Sequence, residues 1–126
     1  MSSEKPKTIL IVDDERDIRE LLEGFFSSLG YKTLTAGDLN QTVFILNREK
    51  PEIVFLDIVL PGINGLEILQ LLKKVDKDII VVMMSGYATE SKAKSALQIG
   101  AFDYLSKPFD LSHVRDMLKM INESIL

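Results

Sequence analysis

The chain has 126 residues, of which 46% are hydrophobic and 27% charged. That size and balance fit one compact globular domain rather than a disordered segment. With no cysteine and one histidine, His113, the sequence excludes disulfides, thiolate metal sites, thiol catalysis and multi-histidine metal sites. A formal charge of −4 with scattered basic residues argues against direct nucleic-acid binding. No apolar run approaches the ~20 residues that span a bilayer, and residues 1–7 are polar with no signal-peptide core behind them, so a cytoplasmic location and no membrane partner are expected.

In chain order, Thr8-Ile9-Leu10-Ile11-Val12 is a continuous apolar run ending in Asp13-Asp14, as expected for a strand buried on both faces. Ile18, Leu21, Leu22, Phe25 and Leu29 then recur at helical spacing, and Gly30 closes that helix. Lys32–Ala36 reads as a weaker strand, and Asp38 with Gln41 begins a capping-box pattern ahead of a Leu39, Val43, Leu46 stripe. Pro51 precedes a third strand, Ile53-Val54-Phe55-Leu56-Asp57. Pro61-Gly62 and Asn64-Gly65 punctuate a loop before a helix carrying Ile68, Leu69 and Leu72. Residues 79–84 form the fourth strand, ending at Ser85-Gly86; Thr89 caps a helix that Gly100 ends. Residues 101–106 form the fifth strand, followed by Lys107-Pro108, and Asp110 caps a last helix with Leu111, Val114, Leu118, Ile121 and Ile125 on one face.

Five βα units with apolar strands require helices on both faces and right-handed crossovers. The expected fold is α/β, an open, doubly wound, five-stranded parallel sheet. Ligands in such sheets bind beyond the carboxyl ends of the strands. There the sequence delivers Asp13-Asp14, Asp57, Ser85 and Lys107. Taken singly, each is a residue that turns and caps favour; their gathering at one edge is the informative feature. Two carboxylates ~5 Å apart repel by roughly 3 kcal/mol at an effective dielectric near 20, so three would raise one another's pKa or recruit a cation. Oxygen donors without His or Cys suit Mg²⁺, with Mn²⁺ as the alternative. Lysine and serine beside such an ion suit phosphoryl oxygens, and a carboxylate can itself be the nucleophile of an aspartyl phosphate.

Val12-Asp13-Asp14, Leu56-Asp57 with Pro61-Gly62 and Gly65, Ser85-Gly86 and Lys107-Pro108-Phe109 together resemble the response-regulator receiver domain. The stretch from Gly100 to Asp110 is similar to receivers of NtrC-type regulators and of single-domain phosphorelay proteins. The resemblance implies one receiver domain over residues 1–126, with a core from about 7 to 125 and a polar extension at 1–6, a (βα)5 flavodoxin-like fold and strand order 2-1-3-4-5. It implies a signalling phosphoacceptor that catalyses only its own phosphorylation and dephosphorylation. Asp57 would take a phosphoryl group from the phosphohistidine of a histidine kinase. Asp14 would ligate Mg²⁺ directly and Asp13 mostly through water, with Asp57 and the backbone carbonyl of Val59 completing the protein ligands. Lys107 and Ser85 would contact phosphoryl oxygens, Ser85 and Tyr104 would act as switch residues, and the Lys107–Pro108 peptide would be cis. The implied output surface is the face of the fourth helix, fifth strand and fifth helix. Further implied partners are a histidine phosphotransfer protein or a fused output domain, and a phosphorylation-dependent homodimer.

Plainer readings stand beside these. Tyr104 is also what a half-buried strand aromatic looks like, His113 a surface helix residue, Met83 and Met84 core filler, Asp103 a loop charge and Asp110 an N-cap. Ser85 replaces the family's more frequent threonine, keeping the hydroxyl. Val59 and Tyr87, each two residues beyond Asp57 and Ser85, are bulky and un-ionised, which predicts poor positioning of a hydrolytic water and a long-lived phosphorylated state. A flavodoxin-like electron carrier would need a hydroxyl- and glycine-rich phosphate loop where this chain has Asp13-Asp14-Glu15. A haloacid-dehalogenase-type phosphatase would need a second acid at Val59. A pseudo-receiver scaffold is opposed by the complete acidic set. The chain ends directly after its last helix, so it reads either as a stand-alone regulator or as a receiver excised from a longer protein.

Overall fold

The computed structural model describes residues 7–86 and 90–124; the expected Thr89 cap, Tyr87 and Ile125 lie outside them. Strands β1 (Thr8–Val12), β2 (Lys32–Ala36), β3 (Ile53–Asp57), β6 (Ile80–Ser85) and β7 (Asp103–Ser106) form a parallel sheet in the order β2-β1-β3-β6-β7. Counting only the sheet's own strands, that is the expected 2-1-3-4-5. Helices α1 (Arg16–Ser28), α2 (Leu39–Leu46), α3 (Gly65–Val75), α4 (Glu90–Ile99) and α5 (Leu111–Ser124) connect and flank them. A two-stranded antiparallel hairpin, β4 (Val59–Leu60) with β5 (Ile63–Asn64), sits where the sequence suggested only a loop, with Pro61-Gly62 at its turn. None of the helices among the described residues is long and apolar enough to cross a membrane.

Successive strand side chains point to opposite faces, and the core divides accordingly. Leu10, Val12, Val54, Leu56, Val81 and Met83 pack with Ile68, Leu69 and Leu72 of α3 and Ala93 and Ala96 of α4. Ile9, Ile11, Ile53, Phe55, Val82 and Met84 pack with Leu22 and Phe26 of α1 and with Val114, Met117, Leu118 and Ile121 of α5. Each large side chain buried this way contributes about 1.5–3 kcal/mol relative to exposure. The core role expected for Met83 and Met84 is met, since both are fully buried.

Two helical stripes follow expectation only in part. In α1 the inward residues are Leu22 and Phe26, whose ring lies 4.9 Å from that of Phe55, while Leu21 is exposed. In α2 Leu39 and Leu46 pack against the core as expected, but the fully buried residue between them is Thr42, and Val43 faces outward. Thr42 tolerates burial because its hydroxyl donates to the Asp38 carbonyl at 2.8 Å. Asp38 caps α2 by accepting from the Gln41 amide at 2.8 Å, but the return bond differs from a capping box: Gln41 Oε1 accepts the Gly37 amide at 2.6 Å. Gly30 and Gly100 end α1 and α4 in the left-handed region, at φ 94° and 126°. At the amino-terminal edge of the sheet, Lys7 Nζ donates to Asn122 Oδ1 at 2.7 Å and Asn122 Nδ2 to the Tyr31 hydroxyl at 2.9 Å, tying the start of β1 to the last turns of α5.

Candidate functional site

A parallel sheet directs every strand's carboxyl end to one edge. Asp13 follows β1, Asp57 ends β3, Ser85 ends β6 and Lys107 follows β7. The structure brings these residues together. Lys107 Nζ lies 2.7 Å from Asp13 Oδ2, 2.9 Å from Asp57 Oδ2 and 3.3 Å from Glu15 Oε1.

Asp13 is fully buried, and each of its polar groups has a partner. Its amide donates to the Ala36 carbonyl at 3.0 Å, Oδ1 accepts the Glu15 amide at 2.8 Å, Oδ2 accepts Lys107, and its carbonyl accepts Arg19 Nη1 at 2.7 Å. Asp14, by contrast, is exposed. Asp57 is 5% exposed; Oδ1 accepts the Val59 amide at 3.0 Å and Oδ2 accepts Lys107. Burial pushes the Asp57 carboxyl above its ordinary pKa; the Val59 amide and the Lys107 ammonium pull it down, and nearby Asp13 adds to the rise. For Lys107, burial opposes the charge, yet hydrogen bonds and attraction from Asp13 and Asp57 outweigh it and hold the ammonium above the usual lysine range.

Carboxylate oxygens of Asp13, Asp14, Glu15 and Asp57 all lie within 4.8 Å of one another. Four formal negative charges against one ammonium leave −4 + 1 = −3, an excess a divalent cation would relieve. The donors are all oxygen, so they fit a hard ion such as Mg²⁺ or Mn²⁺.

The remaining expected residues fall around this cluster. Ser85 is buried, and its carbonyl accepts the Lys107 amide at 2.7 Å, linking the ends of β6 and β7. Tyr104 lies on β7 opposite Met83, half-buried against the α3–α4 side of the core. The Val59 side chain is 56% exposed beside Asp57, and the Lys107–Pro108 peptide is cis. His113 is exposed on α5, its Nδ1 3.9 Å from Asp110 Oδ1. Asp110 caps α5, accepting from the Ser112 hydroxyl and the His113 amide, which lower its pKa. Asp103 is the first residue of β7 rather than a loop charge, and accepts the Tyr104 amide.

Sequence reasoning missed two contributors. Glu15 continues the acidic run and reaches Lys107; Arg19 reaches back along α1 to the Asp13 carbonyl. Gly65 starts α3 packed against the main chain of Asp57 and Ile58, its amide donating to the Ile58 carbonyl at 2.7 Å. A Cβ there would stand 2.4 Å from the Asp57 carbonyl oxygen, so only glycine permits the approach.

Comparison with known proteins agrees with this geometry. The family model for the response regulator receiver domain matches residues 9–119. Sporulation initiation phosphotransferase F of Bacillus subtilis is 39% identical over 111 residues, covering 88% of this chain and 90% of the relative. Nitrogen assimilation regulatory protein NtrX of Azorhizobium caulinodans is 38% identical over 120 residues, covering 94% of this chain but only 26% of that longer protein. Among solved structures, the receiver domain of NtrX from Brucella abortus superposes with a TM-score of 0.84 at 39% identity, covering 89% of this chain and 95% of that one. With the acidic edge, the lysine beside it and the five-stranded sheet all in their expected places, the chain belongs to the response regulator receiver domain family.

Proposed function

We propose that residues 7–125 act as one receiver unit in which Asp57 accepts a phosphoryl group from the phosphohistidine of a histidine kinase. The observation that carries this reading is the Asp57 carboxylate at the end of β3. It is held by the Val59 amide and Lys107, with three further carboxylates alongside. An Asp57 oxygen attacks phosphorus as the phosphorus–nitrogen bond breaks, and the electron pair of that bond stays on the departing imidazole. Asp13, Asp14, Asp57 and the Val59 carbonyl would hold Mg²⁺ or Mn²⁺, which supplies charge neutralisation at the incoming phosphoryl oxygens. Lys107 already touches Asp57 and exchanges a carboxylate partner for a phosphoryl oxygen as the group arrives. The Ser85 hydroxyl donates to another.

Because Ser85 and Lys107 share a backbone hydrogen bond, moving either strains the end of β7, where Tyr104 lies two residues before Ser106. That link supports a population shift in the face of α4, β7 and α5 on phosphorylation, with Tyr104 repacking. The partners this reading calls for are a histidine kinase, a phosphotransfer protein or output domain, and a second copy of the chain in the phosphorylated state, all in the cytoplasm. Incubation with acetyl phosphate and Mg²⁺ should add one phosphoryl mass to the protein and none to Asp57→Asn. Equal labelling of the variant refutes the assignment.

A further inference from the structure

The turn from β1 into α1 carries Asp13, Asp14 and Glu15, so three carboxylates crowd one short segment beside a fourth, Asp57. Mutual repulsion drives such a segment outward, and something must hold its main chain. Arg19 is bonded to it twice. Its guanidinium Nη1 donates to the Asp13 carbonyl at 2.7 Å, and its amide donates to the Glu15 carbonyl at 3.2 Å. The second is the backbone bond that opens α1; the first depends on the arginine side chain, so the guanidinium pins the carbonyl just before Asp14, one of the two exposed acids of the cluster.

The guanidinium needs room, and a distant residue provides it. A Cβ on Gly37 would lie 3.1 Å from Arg19 Nη1 and 3.5 Å from its Cζ. Gly37 is not among the glycines with positive φ, so its backbone conformation does not demand glycine. A Cβ there would instead make the guanidinium of Arg19 give way by a few tenths of an ångström. The turn that carries Gly37 is itself fixed by Gln41 Oε1 on the Gly37 amide, so the position cannot simply drift away.

We propose that Arg19 is a positioning residue for the acidic pocket: its guanidinium, seated in the space Gly37 leaves, fixes the main chain around Asp14 and so sets where the metal-binding carboxylates stand. The proposal rests on the receiver reading of the pocket, but its test needs no phosphoryl transfer. Mg²⁺ is titrated into metal-free protein and the dissociation constant read from backbone amide NMR shifts.

Arg19→Ala should weaken Mg²⁺ binding about tenfold, the scale of one lost hydrogen bond from a charged donor. Arg19→Lys, which keeps a cationic donor without the planar fork, should fall between Arg19→Ala and the parent. Arg16→Ala, which removes only the exposed pair with Glu20, should leave the constant unchanged. Gly37→Ala should weaken binding in the parent yet add nothing in the Arg19→Ala background, a coupling that general destabilisation does not produce. A parental constant in Arg19→Ala overturns the proposal, and so does a Gly37→Ala effect of equal size with and without Arg19. Should Arg19→Ala not fold, Arg19→Lys and Gly37→Ala must both weaken binding, or the proposal fails. Failure of the receiver reading would show separately, as absent phosphorylation of the parent by acetyl phosphate.

Discussion

Gly65→Ala places a carbon where the structure holds main chain. The added Cβ would stand 2.4 Å from the Asp57 carbonyl oxygen, 2.7 Å from Ile58 Cα and 2.9 Å from the Ile58 carbonyl oxygen. None of these atoms can rotate away as a flexible side chain would. Non-bonded carbon contacts settle near ~3.5 Å, so the start of α3 must withdraw by about 1 Å. Withdrawal stretches the Gly65 amide bond to Ile58 and disturbs the Asn64 cap on the Leu66 amide, now 2.7 Å and 2.9 Å. Overpacking of this kind costs ~1–3 kcal/mol and a weakened cap ~1 kcal/mol, while alanine's better helix propensity returns ~1 kcal/mol. The net expectation is a loss of about 1–3 kcal/mol. Gly24→Ala is the matched control: it lies within α1 with nothing within 4 Å of its added Cβ, and should stabilise by up to ~1 kcal/mol. Urea midpoints at constant m compare the two. If Gly65→Ala falls within ~0.5 kcal/mol of the parent, below the smallest overpacking cost, the close approach of α3 to the acceptor strand does not carry the weight assigned to it.

Other expectations follow from the same geometry. Burial raises the Asp57 pKa above its unfolded value, so its contribution to stability is lost as pH rises from near 3.8 through the folded pKa; Asp57→Asn should therefore gain melting temperature relative to the parent at pH 7 and less at acid pH, by differential scanning calorimetry. Lys107→Ala leaves Asp13 and Asp57 facing each other without their shared ammonium, and should cost on the order of 3 kcal/mol in the metal-free protein, partly regained with excess Mg²⁺ by mass action; chemical denaturation with and without the ion measures both. Asp38→Ala removes the α2 cap and should cost ~1 kcal/mol in urea denaturation, with no effect on Mg²⁺ binding. Val59→Asn sets an amide beside Asp57 where a half-exposed valine now stands, and should speed loss of the phosphoryl group by roughly tenfold, followed as phosphate release.

What could be read from the sequence divides along physical lines. Strands β1 and β3 are apolar throughout because both of their faces are buried, so an unbroken run ending in aspartate marked each strand and its place at the reactive edge. The α2 stripe was right at Leu39 and Leu46 but passed over Thr42, because polarity was taken to mean exposure while Thr42 satisfies its hydroxyl on the Asp38 carbonyl. In α1, Phe25 and Phe26 are adjacent, and periodicity alone did not select Phe26; its tilted ring contact with Phe55, distant in sequence, does. The β4–β5 hairpin has strands of two residues, too short for any alternation to register. Asp13, Asp57, Ser85 and Lys107 were legible as a set because topology alone sends strand ends together. Glu15 and Arg19 were not, because their parts depend on the path of one turn, and charged residues at the start of a helix ordinarily signify only a solvated face.

The bridge from Lys7 to Asn122 and Tyr31 gives the molecule a direction. Both ends of the described fold meet at the edge of the sheet opposite Asp57, separated from it by the length of a five-residue strand, roughly 17 Å. The same closeness makes the fold a candidate for circular permutation: a short linker joining these two ends would leave the acidic edge untouched, and new ends could be opened at the turn between α2 and β3.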